Sequence, residues 1–348
     1  MTSVTRIYFL DNLKVFLIML VVAHHAGQPY GGSEGWWYFK TIDSPGLGAF
    51  FAVNAAFFMG LFFLISAYFV PSSLDKNSVR GFIKKRLVRL GIPLVIGFLL
   101  LIPFSLPEIN FGHLWFLQHL LIYSVLYAVF SSASRRIGRV RKDNVDRPFP
   151  SQFLIVFCTL IVALLTFLIR IKYPIDHWIG FLGIIQTEFA HVPQYVFFFI
   201  FGIIAARNNW FNRVPTYIGV TWMVIGVVLA LVLYSGEITA FQTGGLNWGS
   251  LGYSITEMYL CTGLCIGLIY LFHRLANKTN ALLSSFSFNT YSIYIFHVPI
   301  VVSLQYAVEQ IPVSAYIRFA IVIMLGISLS FLFSQYVIRK LPVLGKVF

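Results

Sequence analysis

Residues able to do chemistry begin in the first apolar stretch, where His25 follows Lys14 by eleven positions and is itself preceded by His24. At 3.6 residues per turn that interval is close to three full turns. Lys14 and His25 therefore share one helix face, about 16 Å apart along the axis. Asp11, three residues before Lys14, is placed to pair with it. An imidazole can take or give a proton near neutral pH. Spacing alone serves a plainer reading equally well, in which Asp11 and Lys14 mark one membrane interface and the two histidines cap the far end.

Three further segments carry polar groups of the same kind. Lys84-Lys85-Arg86-Leu87-Val88-Arg89 puts Arg86 and Arg89 on one helix face at the edge of an apolar run. A guanidinium fork suits phosphate, although simple anchoring against lipid headgroups explains such a cluster too. Gly112-His113-Leu114-Trp115 starts another run, with His113 at the depth of His24 and His25 and Trp115 at an interface. His297 lies about eleven residues into a later span, two before Pro299. A histidine at mid-membrane needs a partner, and a structural, hydrogen-bonded role is the simplest one for it.

The elements that must position these residues are membrane helices. The chain has 348 residues, of which 58% are hydrophobic and only 11% charged, with a mean hydropathy of +0.82. A soluble domain is nearer 25% charged. A spanning helix takes about 20 apolar residues. The sequence predicts ten, near 8–26, 46–70, 88–106, 113–133, 151–170, 190–207, 214–234, 251–272, 286–306 and 315–337. The sixth is the hardest to bound, because 178–192 also reads as a re-entrant or interfacial segment. The expectation is an all-α polytopic bundle forming a single membrane domain over 1–348. The first stretch reads as a retained helix, since no small-residue cleavage site follows it.

The net charge of +13 would suggest nucleic acid in a soluble protein. Here the basic residues fall on alternate loops instead, and no nucleic acid is expected. With the N-terminus inside, all of them except Lys40, Arg170, Lys172 and Arg318 lie on the inner side. Glu34, Asp43, Glu108, Asp176, Glu188, Glu237, Glu257 and Glu309 fall at outer loops or outer helix ends. That asymmetry predicts both termini in the cytoplasm of a bacterial-type inner membrane. Cys158, Cys261 and Cys265 all sit in apolar runs. They read as packing residues, with no disulfide framework and no metal site expected.

Taken together the segments resemble the acyltransferase-3 family of membrane acyltransferases. The family's helix-one signature, Leu-Asp-x-Leu-Arg followed ten residues later by His, is similar to Leu10-Asp11-Asn12-Leu13-Lys14 with His25, Lys14 standing where Arg is usual. Arg86 and Arg89 match its paired arginines. Phe63 to Phe69, with Ala67 for the usual Gly, resembles its helix-two ending. His113-Leu114-Trp115-Phe116-Leu117 looks like the branch without an attached esterase-like domain. Phe201-Gly202-Ile203 through Trp210, and Tyr291-Ser292-Ile293-Tyr294 through His297-Val298-Pro299, also match in order.

The resemblance implies transfer of an acyl group, often acetyl, from cytoplasmic acyl-CoA to a hydroxyl of a sugar, glycan or similar acceptor. Acyl-CoA enters as donor substrate, with no metal. The family's essential helix-one histidine maps to His25, and its CoA-associated arginines to Arg86 and Arg89. His25 is then the base or a transient acyl carrier, His24 and His113 are candidates to orient it, and Lys14 is a candidate contact for phosphate or the thioester arm. Asp11, Trp115 and His297 are supporting residues. A transporter or exporter of a glycan or small metabolite, and a non-catalytic sensor, are the competing readings.

Overall fold

The computed structural model describes residues 6–30, 44–105, 111–136, 147–181, 185–235, 244–342 and 344–347. The expected charges at Glu34, Lys40, Asp43, Glu108, Arg139, Arg141, Lys142 and Glu237 lie outside these residues.

The architecture is all-α. Its long helices are α1 (Tyr8–Gly27), α2 (Pro45–Tyr68), α6 (Trp115–Arg136), α7 (Gln152–Arg170), α8 (Val192–Asn208), α9 (Thr216–Tyr234), α10 (Trp248–Leu275), α11 (Ala281–Glu309) and α12 (Ala315–Tyr336). Shorter pieces are α3 (Val70–Asp75), α4 (Val79–Arg86), α5 (Ile92–Ser105) and α13 (Leu344–Val347). The starts follow ordinary capping chemistry. Ser151, Asn247, Asn280 and Ser314 each accept a backbone N–H from the first turn of the helix they open.

Among the described residues nine helices are long and apolar enough to cross a membrane, where the sequence predicts ten. The difference lies at 88–106. There α4, a π-helical turn at Leu87–Gly91 and α5 follow one another without a break from Val79 to Ser105. The first half of this rod is basic. Its apolar half, α5, is described as far as Ser105. The rod passes from one end of the bundle to the other. At its basic side Arg89 lies close enough to Lys14 for their charges to interact. The chain then reaches His113, whose ring lies 5.9 Å from that of His25 at the opposite end of α1. The chain ends share one side as well, because Arg6 and Arg339 both stack on the Phe288 ring, at 4.7 and 5.3 Å.

Helices α1, α2, α10 and α11 form the interior, with about 61–67% of their most apolar windows buried. Only 22–28% is buried in α7, α9 and α12. The outer helices turn residues such as Phe153, Leu231 and Met324 outward. A contiguous apolar surface of that kind suits lipid rather than water. Close helix crossings depend on small residues. A side chain at Gly202 would strike the Leu64 carbonyl where α8 meets α2, and one at Gly263 would strike the Trp222 carbonyl where α10 meets α9. Cys261 and Cys265 are free and buried, their sulfurs 3.9 Å apart, which is a packing contact.

The 178–192 segment forms an antiparallel hairpin, β1 (Trp178–Phe181) and β2 (Ile185–Glu188), followed by a 3₁₀ turn at Phe189–His191. The sequence places Arg170, Glu188 and Glu257 at outer loops or outer helix ends; the structure adds that all three are buried. Arg170 pairs with Glu257. His191 reaches Glu257 Oε1 at 2.9 Å and Glu188 Oε2 at 2.9 Å. The Asp176 amide donates to Glu188 Oε1 at 2.8 Å, so the network fastens the hairpin to α7 and α10.

Removing one partner of a buried ion pair leaves an uncompensated charge, at a cost of about 3–5 kcal/mol. Arg170→Met is therefore expected to lower the melting temperature of the detergent-solubilised protein sharply. Asp75→Asn breaks the half-exposed pair with Arg207 and is expected to cost no more than about 1 kcal/mol. Equal melting temperatures for the two variants would contradict the burial of the network.

Candidate active site

Four imidazoles gather where the C-terminal end of α1 meets the middle of α11 and the start of α6. His25 Nδ1 lies 2.8 Å from His297 Nε2. The other nitrogen of His297, Nδ1, lies 2.8 Å from the Tyr294 carbonyl and 3.1 Å from that of Ile293. The His113 ring stands 4.9 Å from His297 and 5.9 Å from His25, centre to centre. His24 packs edge-on against His25 at 5.6 Å and against Phe51 at 4.6 Å, and lies over Phe58 at 5.0 Å.

The backbone of α11 explains why this place is polar. Pro299 has no N–H, so the Ile295 carbonyl one turn earlier loses its helical partner. The carbonyls of Tyr294 and Ile295 face the His113 ring without reaching hydrogen-bond geometry, and both His113 nitrogens are buried without a partner. The Tyr294 hydroxyl donates to the His113 carbonyl, locking α6 to α11. Gln305, two turns beyond His297, donates to the carbonyls of His25 and Ala26 at 2.8 and 3.2 Å. It thereby satisfies acceptors that the end of α1 would otherwise leave open.

The opposite end of α1 is cationic. Arg6 Nε donates to Asp11 Oδ2 at 2.7 Å and Lys14 Nζ lies 3.4 Å from Oδ1, so the Asp11–Lys14 pairing read from the spacing is present. Lys14 also sits over the Phe69 ring at 4.3 Å. Its charge is thus partly matched already. Arg86 and Arg89 differ in this respect, since among the described residues neither forms an ion pair. Arg86 lies over Phe82 and is half-buried, while Arg89 is exposed. Arg89 itself lies in the π turn that follows Arg86, and both arginines lie near Tyr291 of α11. Turns of this kind recur at functional sites. Tyr291 of α11 donates to the Arg89 carbonyl at 2.5 Å.

Of the residues singled out from sequence, His24, His25, His113 and His297 therefore meet at one end of α1. Asp11, Lys14, Arg86 and Arg89 meet at the other. Trp115 stands apart from the histidines, stacked on Tyr195 at 5.3 Å and 5.7 Å from Trp178 of the hairpin. It braces the start of α6, and the His119 ring bonds its carbonyl. Gln305 escaped sequence reasoning, although it follows His297 by eight residues on the same helix. Among the described residues no group of three or more His, Cys, Asp or Glu side chains is arranged to hold a metal ion.

An imidazole cluster joined through the bundle to a cationic end suits proton transfer coupled to handling of an anionic donor. The profile of a family described as "Acyltransferase domain" matches residues 7–335. Proteins named "Glucans biosynthesis protein C" from Salmonella paratyphi B and Salmonella enteritidis PT4 are each 26% identical over 345 residues, covering 85% of this chain and 82% of theirs. No solved structure matches the chain. With a family match running through nearly every helix described above, the chain belongs to the acyltransferase-3 family of integral membrane proteins.

Proposed function

We propose that this protein moves an acyl group, acetyl being the leading candidate, from acyl-CoA to a hydroxyl of a glycan or similar acceptor. The observation that carries the reading is the hydrogen-bonded His25–His297 pair beside the unpartnered ring of His113, three turns along α1 from Lys14. The name of the relatives, which refers to glucan biosynthesis, favours a sugar acceptor. The charge asymmetry of the loops favours an inner membrane with both termini cytoplasmic, so that the donor arrives from the cytoplasm.

In this mechanism Arg86 and Arg89 contact the phosphates of acyl-CoA, with Lys14 as a point charge beside them. The acyl arm extends along α1 toward the histidines. His25 takes the proton of the acceptor hydroxyl as its oxygen attacks the thioester carbonyl carbon. The new C–O bond forms, the C–S bond breaks, and the proton held on His25 passes to the departing CoA sulfur. His113, buried with neither nitrogen bonded, donates to the oxygen on which negative charge develops. His24 borders the acceptor side against Phe51 and Phe58.

His25→Ala is expected to abolish acylation while the protein still inserts and folds, as judged by mass spectrometry of cell-envelope glycans and by gel filtration. Glycans of unchanged mass with and without the wild-type gene, together with substrate flux, would favour a transporter instead. Arg86→Ala combined with Arg89→Ala is expected to raise KM for acyl-CoA about tenfold or more with a smaller effect on kcat, since contact with the phosphates is lost. An unchanged KM would remove the arginines from donor binding.

His113→Phe separates catalysis from structure. The ring's nitrogens contribute no hydrogen bond to stability, so an apolar ring of similar shape is expected to hold or raise the melting temperature. Turnover is expected to fall about 10²–10³-fold, the loss typical of one oxyanion donor. A lower melting temperature with full turnover would assign His113 to the scaffold.

A further inference from the structure

We propose that His297 is a positioning residue that holds His25 in one tautomer, with the proton on Nδ1 and the lone pair on Nε2. The assignment deepens the acyl-transfer reading and rests on it for its catalytic consequence, though not for its geometry.

The argument starts from an acceptor whose role is fixed. Backbone carbonyls only accept, so His297 Nδ1, within hydrogen-bond distance of the Tyr294 and Ile293 carbonyls, must carry a hydrogen. His297 is fully buried, and its ring nitrogens are committed to neutral groups: those two carbonyls and another imidazole. An unpaired cation is costly in such a place. The ring is therefore neutral, and a neutral imidazole with its hydrogen on Nδ1 has its lone pair on Nε2. That lone pair lies 2.8 Å from His25 Nδ1, so His25 donates through Nδ1. The remaining lone pair of His25 falls on Nε2, the nitrogen then able to take the hydroxyl proton.

The Val21 carbonyl, one turn back on α1, also faces the His25 ring. As an interior helical carbonyl it already receives the amide four residues on, whereas among the described residues His297 Nε2 faces no other donor. Of these two partners His297 is the stronger. Once His25 has taken the proton, its Nδ1–H still points at the same lone pair, so the contact persists through the step. A carboxylate does the same work in Ser-His-Asp enzymes, where losing the correct tautomer costs about 10⁴ in kcat. With a neutral partner the expected loss is about 10²–10⁴-fold, the range of general-base catalysis.

The test uses the full chain, ¹⁵N-labelled at histidine and reconstituted in phospholipid vesicles, with solid-state NMR reading which His25 nitrogen bears hydrogen. Wild type is expected to show hydrogen on Nδ1 alone. His297→Leu is expected to lose that preference, and His297→Gln, whose amide oxygen can accept in the same place, to restore it. With acetyl-CoA and a glucose oligosaccharide as probes, kcat is expected to fall about 10²–10⁴-fold in His297→Leu, with KM for acetyl-CoA little changed and most of the loss recovered in His297→Gln. Hydrogen on Nε2 in wild type, or an unaltered tautomer in His297→Leu, would overturn the proposal. If wild type acylates nothing while the spectra behave as expected, the acyl-transfer reading fails and the positioning geometry stands.

Discussion

A polar group inside hydrocarbon has no water to turn to, and leaving it unpaired costs several kcal/mol. The middle of this bundle is arranged around that constraint. His25 and His297 satisfy one another, the remaining nitrogen of His297 finds carbonyls of its own helix, and Gln305 serves the carbonyls at the end of α1. Pro299 withdraws an amide from the same neighbourhood. The ring of His113 is buried beside the pair with neither nitrogen bonded, and His24 Nδ1 is also without a partner.

Helix α1 links this place to the cationic side. It packs against α11, α2, α10 and α12, and its N-terminal half is fixed by Asn12, which donates to the carbonyls of Ala276 and Lys278 at 2.7 and 2.8 Å. Arg6 bridges Asp11 to Ser284 and Ser287 of α11. Both ends of α1 are thereby tied to α11, the helix that also carries His297. Asp11 is shared between Arg6 and Lys14, whereas among the described residues Arg86 and Arg89 form no ion pair. The two arginines differ in exposure.

The β1–β2 hairpin is held by a different device. Its Glu188 joins His191, Glu257 and Arg170 in one buried chain of charges. Its Gln186 accepts the Phe111 amide two residues before His113, at 2.9 Å, and Thr187 meets His119 at 3.2 Å. The segment leading into His113 is thus braced from outside by a structure with no helical periodicity of its own. Trp115, Tyr195 and Trp178 pack along the same seam.

By itself the sequence determined the solvent, the class of fold and the identity of the chemical groups. Those follow from composition and from runs of apolar residues, which are local properties. The eleven-residue step from Lys14 to His25 also needed only the helical repeat, as did the Asp11–Lys14 pairing. What the sequence left open were contacts that depend on what lies opposite. Arg170, Glu188 and Glu257 read as outer-side charges flanking apolar runs, and only the fold shows that three separate segments come together and bury them as one network. The span at 88–106 reads as one apolar run, and only the fold shows the π turn at its start. His297 looked like a structural histidine on its own helix, and only the approach of α11 to α1, 272 positions apart for the two rings, put it against His25. Periodicity is written along one helix, whereas partnership between buried polar groups is decided by which helix faces which.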